Sequence, residues 1–238
     1  MRCYGRGEKL NREKTVSVII PVVRDYRIYK AIESLKDQDC EIIIIQSGEE
    51  EWKELKEFCE KNKVKFYYLK NATAPQAYNF GASIAKGDIL VCGDSDTIFS
   101  KNFISDVKKY TKKGWITAGG WITLDFGEKL VIGDQAWFLY KSDYEKIGGY
   151  DESFTRYAYD VAFCLKAKRK GIKCRRIPQA IYYHPSTAQK RGFNVGREEA
   201  KANKKYGYQK TWRMIAWDVL EIWRIIRHMV GLIIGSII

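Results

Sequence analysis

Apolar and amphipathic segments alternate along the first hundred residues of the chain. Runs of mostly β-branched residues predict buried strands, and segments with apolar residues at helical spacing predict helices between them. The strands are predicted over 15–22, 41–48, 64–70 and 88–94, and the helices over 28–38, 49–62 and 75–87, the last closed by Gly87. Strands that alternate with helices indicate an α/β fold with a parallel sheet and helices on both faces.

The pattern is less regular after the fourth strand. The predicted elements are a helix over 102–114, a strand over 115–124 with a glycine break, a helix over 160–171 and two short strands, of which the second ends at His184. The segment 186–196 is polar and interrupted by glycine, so it predicts a mobile loop.

Positive charge is concentrated in one part of the chain. The formal net charge is +13, and residues 166–213 contain 15 lysines and arginines against two glutamates, so this region carries all of the excess. Such a region is either a solvated face or a surface for anionic partners. We divide the chain into an N-terminal extension (1–14), a catalytic domain (15–197) and a basic, amphipathic helical tail (198–238).

The terminal segments and the cysteines indicate the cellular location that we expect for the protein. The residues before the first strand contain no apolar stretch, so we expect no signal peptide. The six cysteines lack C-x-x-C spacing, which argues against a zinc site and a disulfide framework. The tail segment 211–238 predicts either an interfacial helix on an anionic membrane or packing against the domain or a second subunit. We expect a cytoplasmic protein, and the first of these alternatives would make it peripheral on the cytosolic face of the membrane.

Two carboxylates, Asp94 and Asp96, follow the fourth predicted strand. Ligands of open α/β sheets bind beyond the carboxyl ends of the strands. Two like charges this close repel each other unless a cation lies between them, and a hard divalent ion suits carboxylate oxygens. The pair therefore predicts a metal site, with a solvated turn as the alternative.

Several segments occur in a characteristic order. They read VSVIIPV, EIIIIQSG, YNFGASIAKGDILVCGDSD, EKIGGYDESF, YDVAFCLKAKRKG and YYHP. This order resembles the family 2 glycosyltransferases of the GT-A fold, over most of residues 15–185. The resemblance implies a Rossmann-like, mostly parallel sheet. It also implies metal-dependent, inverting transfer of a sugar from a nucleotide-diphosphate donor to a hydroxyl group of a saccharide or lipid-linked acceptor.

The resemblance also assigns a metal site. It implies that Asp96 binds the ion, that Asp94 assists it or lies near the donor ribose, and that His184 completes the site. An imidazole ligand suits Mn²⁺ better than Mg²⁺. We therefore expect Mn²⁺, with Mg²⁺ as a substitute.

An inverting transfer needs a base that takes the proton of the acceptor hydroxyl. Asp160 is the first candidate, at the position where the family usually has Glu-Asp and this chain has Tyr159 and Asp160. The alternative is that Asp160 only caps its helix. Asp151 and Glu152 are the second candidates for the base.

The resemblance places donor-binding residues around the same strand ends. They are Pro21, Val22, Asp25, Gln46, Asn79, Asp94, Ser95, Lys190 and Arg191. Gln46 stands where the family often has an acid, and Asn79 lies in Y-N-F-G where the family usually reads Arg-Asn-x-Gly. Lys190 and Arg191 fall in the predicted loop, where a cation would offset charge on the leaving diphosphate.

A second function class is a non-catalytic protein that binds nucleic acid or membrane through its basic region. That function gives no reason for Asp94, Asp96 and His184 to lie at the ends of predicted strands. The transferase is therefore the preferred hypothesis, and we expect no nucleic-acid partner.

Overall fold

The computed structural model describes residues 13–123, 129–155, 158–184, 201–202 and 204–206. The strands are β1 (Val16–Val22), β2 (Glu41–Gly48), β3 (Lys65–Lys70), β4 (Ile89–Cys92), β5 (Ile98–Phe99), β6 (Trp115–Thr123), β7 (Lys129–Tyr140), β8 (Lys173–Arg176) and β9 (Tyr182–His184). The helices are α1 (Ile28–Leu35), α2 (Lys53–Lys61), α3 (Ala74–Ile84), α4 (Phe103–Tyr110), α5 (Lys141–Ile147) and α6 (Tyr159–Arg169).

All the strands of the described residues belong to one mixed sheet. Its order is β3-β2-β1-β4-β7-β6-β9-β5, and β8 pairs with β6 outside this path. The strands β3, β2, β1 and β4 are parallel, whereas β7 is antiparallel to both β4 and β6. The predicted α/β fold with a mostly parallel sheet is confirmed.

Three elements were not predicted from the sequence, the two-residue strand β5, the strand β7 and the helix α5. The long strand β7 reads KLVIGDQAWFLY, and the polar G-D-Q in its middle interrupts the apolar pattern. It is followed directly by the short helix α5. The glycine break expected in β6 is present as a shift of register between Ala118 and Gly120.

The core lies on both faces of the sheet. Val18 and Ile20 of β1 pack with α1 and α2 on one face, whereas Ile19 packs with α3 and α6 on the other. All three side chains are fully buried. A strand that is buried on both faces reads as a continuous apolar run, which is why the sequence of β1 has no alternation.

The helix α3 begins as its sequence predicts but ends earlier. Thr73 caps it in a reciprocal capping box with Gln76. The helix ends at Ile84, so the prediction that Gly87 closes it is wrong. Gly87 is needed instead for a close approach, because a β-carbon there would lie 2.5 Å from the backbone nitrogen of Ser17.

One edge of the sheet collects the ends of strands that are far apart in sequence. β1 and β4 are parallel and end at Val22 and Cys92. Two successive antiparallel pairings make β6 run in the direction of β4, and β9 is parallel to β6. His184, at the end of β9, therefore lies at the same edge as the segment after β4.

Only a small part of the predicted tail lies among the described residues. Residues 201–202 and 204–206 are helical, and Ala202 is buried in a cluster with Phe154, Ala158 and Leu165. The described part of the tail thus packs on the domain. Lys190, Arg191 and the segment 207–238 lie outside the described residues. No helix among the described residues is both long and apolar enough to cross a bilayer.

Candidate metal and donor site

The acidic pair and the late histidine, which the sequence separates by about ninety residues, meet at the carboxyl edge of the sheet. Nε2 of His184 lies 2.9 Å from Oδ1 of Asp96 and 3.8 Å from Oδ2 of Asp94. One ligand atom from each of the three residues lies within 4.8 Å of the others. The side chains of His184 and Asp96 are 3% and 11% exposed, whereas that of Asp94 is 38% exposed. Two carboxylates and an imidazole in this arrangement can ligate a divalent cation.

The environment of Asp94 disfavours its negative charge. Loss of water around the carboxyl group raises the pKa of Asp94 to about 6, although His184 acts in the opposite direction. The charges of Asp96 and Asp160 contribute to the increase. The hydroxyl of Tyr78, from α3, lies 3.2 Å from Oδ1 of Asp94 and 3.0 Å from the carbonyl oxygen of Gly93. The two carboxylates are therefore crowded, and any nearby positive charge stabilises their ionised forms.

Arg27 is a cation of this site that the sequence did not reveal. Its Nη1 lies 3.0 Å from Oδ2 of Asp96, while Nε and Nη2 donate to the carboxylate of Asp25 at 2.7–3.1 Å. The hydrogen bond from Arg27 holds the pKa of Asp25 below its ordinary value. The hydroxyl of Ser95 also donates to Asp25, at 3.1 Å. The predicted residues Asp25 and Ser95 thus belong to the same polar network as the acidic pair.

The remaining predicted donor residues of the first two strands are near this edge but have other contacts. Val22 is buried in the core, and Pro21 is half-buried in β1. Gln46 is 1% exposed, and its amide bonds to backbone atoms of Ser47, Glu50 and Trp52. Gln46 therefore holds the loop after β2, and its contact with the donor stays a prediction.

Asn79 connects α3 to the turn that precedes α6. Its Oδ1 accepts from the hydroxyl of Tyr144 and the backbone N–H of Tyr150, at 2.7 and 2.8 Å. Its Nδ2 donates to the carbonyl of Tyr150 and to Glu152, at 3.1 and 2.8 Å. Gly149, with φ of +64°, lets the turn pass close to this amide. All four hydrogen bonds are internal, so Asn79 positions the turn, and its predicted contact with the donor is untested.

Asp151 is bound by the described part of the tail. It accepts hydrogen bonds from Lys205, Tyr206 and Ser153. Partial burial alone would raise the pKa of Asp151, but these hydrogen bonds outweigh it and hold the pKa well below its usual range. Such a carboxylate is a weak proton acceptor. Glu152, the other second candidate, accepts from Asn79.

Asp160 lies in the first turn of α6, one residue after the helix begins. The N-cap residue of the helix is Ala158, so Asp160 is not at the N-cap position. Ala158 has φ of +58°, a left-handed conformation that costs about 1 kcal/mol for a residue with a β-carbon. The negative charge of Asp160 is one of the smaller contributions that raise the pKa of Asp94.

Aromatic rings under the site join the elements that carry these acids. Tyr150 stacks on Tyr78 of α3 at 5.0 Å and on Phe163 of α6 at 4.5 Å between ring centroids. Trp137 of β7 contacts both Tyr150 and Phe163 edge-on. These ring contacts join α6 to α3 and to β7.

The family model described as "Glycosyl transferase family 2" matches residues 17–175, which include the acidic pair and Asp160. The chain belongs to glycosyl transferase family 2. The expected resemblance is thereby confirmed over more than half of the chain.

Curated relatives of this family 2 chain include two rickettsial proteins. It is 34% identical over 102 residues to an "Uncharacterized glycosyltransferase" of Rickettsia bellii, which is 40% of this chain and 15% of that protein. It is 35% identical over 115 residues to a similarly named protein of Rickettsia conorii, which is 45% of this chain and 19% of that protein. The chain thus spans less than a fifth of the length of these relatives.

Solved structures share the fold. The crystal structure of S. aureus TarS superposes with a TM-score of 0.59 at 15% identity, over 82% of this chain and 40% of TarS. The TarS fragment 1–349 gives a TM-score of 0.60 at 16% identity, over 82% of this chain and 67% of the fragment. At these identities the likeness shows a common glycosyltransferase fold, in agreement with the expected GT-A architecture.

Asn79→Ala is expected to lower the free energy of unfolding by about 2–4 kcal/mol, because it leaves polar groups of Tyr144 and Tyr150 without partners. Urea denaturation measures this loss, and hydrogen exchange of residues 148–152 reports loosening of the turn. Asn62→Ala is the matched control, because the Asn62 amide donates to a backbone carbonyl of its own helix, that of Phe58, at 2.8 Å. Equal losses in the two variants would contradict the positioning role of Asn79.

Proposed function

We propose that the chain is the catalytic unit of an inverting glycosyltransferase that takes a sugar from a nucleotide-diphosphate donor. The observation that carries the proposal is the convergence of Asp94, Asp96 and His184 at the carboxyl edge of a family 2 sheet. The acceptor is a hydroxyl group of a saccharide or a lipid-linked glycan. A non-catalytic binding protein would have no use for this arrangement.

The donor set fits a hard or borderline divalent cation. It offers carboxylate oxygens and one imidazole nitrogen, which favours Mn²⁺ over Mg²⁺. When bound, such an ion neutralises charge on the diphosphate as it leaves. Asp94, Asp96 and His184 are the residues that would hold it, and Ser95 and Asp25 line the donor side of the same edge.

Asp160 is the base of this proposal. It lies in the first turn of α6 and its charge acts on Asp94, whereas the two other candidates, Asp151 and Glu152, are hydrogen-bonded by Tyr206 and by Asn79. Asp160 would take the proton of the acceptor hydroxyl as that oxygen attacks the anomeric carbon. The attack comes from the side opposite the diphosphate, so the configuration at that carbon inverts.

Peripheral attachment to an anionic membrane is the third part of the proposal, and it rests on the charge of residues 166–213 and the tryptophans of 211–238. Vesicles with increasing phosphatidylserine should bind the full chain at low salt, and added salt should weaken the binding because it screens the electrostatic part. Sedimentation with the vesicles measures this. A chain that ignores anionic vesicles at low salt would overturn the membrane part alone.

Asp96→Asn should remove metal binding. A loss of at least about 100-fold in Mn²⁺ affinity is expected, because changing residues that only orient metal ligands already costs up to about 100-fold. Isothermal titration with Mn²⁺ measures the loss, and Asp37→Asn, an exposed acid on the surface, is the control. Unchanged Mn²⁺ affinity in Asp96→Asn would rule out this metal site.

Asp160→Asn should reduce turnover by roughly 10²-fold or more, because the amide has the shape of the carboxyl group but accepts no proton. Donor binding should survive, since Asp160 is placed on the acceptor side. Donor hydrolysis or transfer to a panel of acceptors measures turnover, and titration with the nucleoside diphosphate measures binding. Wild-type turnover in this variant would move the base to another residue.

A further inference from the structure

Arg27 contacts two carboxylates that have different roles in the proposed function. Asp96 is a metal ligand, and Asp25 lies on the donor side of the site. Nη1 of Arg27 lies 3.0 Å from Oδ2 of Asp96, whereas Nε2 of His184 lies 2.9 Å from the other oxygen, Oδ1. Its other nitrogens form a two-pronged pair with Asp25. Both oxygens of Asp96 therefore have cationic or hydrogen-bonding partners within the protein.

The guanidinium group cannot lose its proton under ordinary conditions, so its charge is permanent. A divalent cation that takes Asp96 as a ligand has to approach a carboxylate already paired with this charge. Arg27 and the metal therefore compete for the same negative charge. His184 differs in this respect, because in its neutral form it is itself a ligand.

Arg27 also has an anchor and room to move. Asp25, which also accepts a hydrogen bond from Ser95, stays a partner of the guanidinium group when the contact with Asp96 is lost. The Arg27 side chain is 56% exposed. Because the guanidinium fork is rigid, Arg27 can turn from Asp96 toward an anion at the edge of the sheet when Asp25 moves with it or when the pair with Asp25 is reduced to one hydrogen bond.

We propose that Arg27 is a built-in counter-ion of Asp96 that makes metal and donor bind together. Without donor, Arg27 opposes the metal by occupying Asp96. When donor binds, Arg27 turns to the diphosphate. Asp96 then becomes available as a ligand of the metal, and the diphosphate has a second cation beside it. Metal and nucleoside diphosphate then increase each other's affinity, as linkage requires. The donor half of this inference rests on the proposed function, whereas the metal half does not.

A purely structural role for Arg27 predicts a different outcome. If the arginine only fixed the loop between β1 and α1 through Asp25, its loss would disorder that loop. The affinities for metal and for nucleotide would then both fall, together with the melting temperature. The counter-ion role instead predicts that the two affinities change in opposite directions.

The test compares Arg27→Gln with the wild-type full chain, using Mn²⁺ alone and then UDP, GDP and dTDP at saturating Mn²⁺. Electron paramagnetic resonance measures free Mn²⁺, and calorimetry measures nucleotide binding. Mn²⁺ alone should bind roughly 3- to 30-fold more tightly to the variant, since one positive charge a few ångströms away is gone. The nucleoside diphosphate should bind about tenfold more weakly, because it loses a charge-assisted partner.

Two further variants isolate the cause. Arg24→Gln removes a charge from the same loop, where Arg24 lies over the ring of Trp52, and both affinities should stay within about twofold. Arg27→Lys keeps the charge, so its Mn²⁺ affinity should stay close to that of the wild type. It also serves as the informative variant if Arg27→Gln does not fold, as judged by circular dichroism and thermal melting.

Unchanged or weaker Mn²⁺ binding by a folded Arg27→Gln would overturn the counter-ion role. An Arg27→Lys variant that binds Mn²⁺ much more tightly than the wild type would overturn it as well, because charge would not be the cause. Failure of the proposed function has a different signature, in which wild-type protein with Mn²⁺ binds none of the three nucleoside diphosphates. The Mn²⁺ measurements then still decide whether Arg27 opposes the metal.

Discussion

Repulsion between two carboxylates at the edge of the sheet is the constraint on which the site depends. Asp94 and Asp96 lie close together, and loss of water raises the pKa of Asp94. His184 and Arg27 are a ligating and a positive group in direct contact with the pair. Arg27 follows β1, the two acids follow β4, and His184 ends β9. The sheet must therefore bring the ends of these three strands to one edge for the charges to be balanced.

The elements around the acids are held by polar and aromatic contacts that link distant segments. Asn79 bonds the turn at 148–152 to α3, and Tyr150 stacks between α3 and α6. Lys205 and Tyr206 then tie the described part of the tail to Asp151 in that same turn. Asp160, at the start of α6, is thus positioned relative to Asp94 by a chain of contacts that runs through the turn.

Much of this arrangement could be predicted from the sequence, because buried parallel strands leave a strong local signal. The signal places Asp94, Asp96 and His184 at strand ends, and the topology of the sheet brings those ends together at one edge. Arg27 was missed because D-x-R after a strand looks like an ordinary solvated turn. The hydrogen bonds of Asn79 and Asp151 could not be predicted either, since their partners are brought near only by the fold. Strand β7 was missed because its polar middle interrupts the apolar pattern.

The most direct test of the central claim is the position of Mn²⁺ in crystals grown with the ion and a nucleoside diphosphate. Anomalous diffraction locates Mn²⁺ and distinguishes the ion from a water molecule. If the three residues hold the metal, one peak lies within about 2.6 Å of a carboxylate oxygen of Asp94, a carboxylate oxygen of Asp96 and a nitrogen of His184. A peak elsewhere, or one that only a single member of this group contacts, would contradict it.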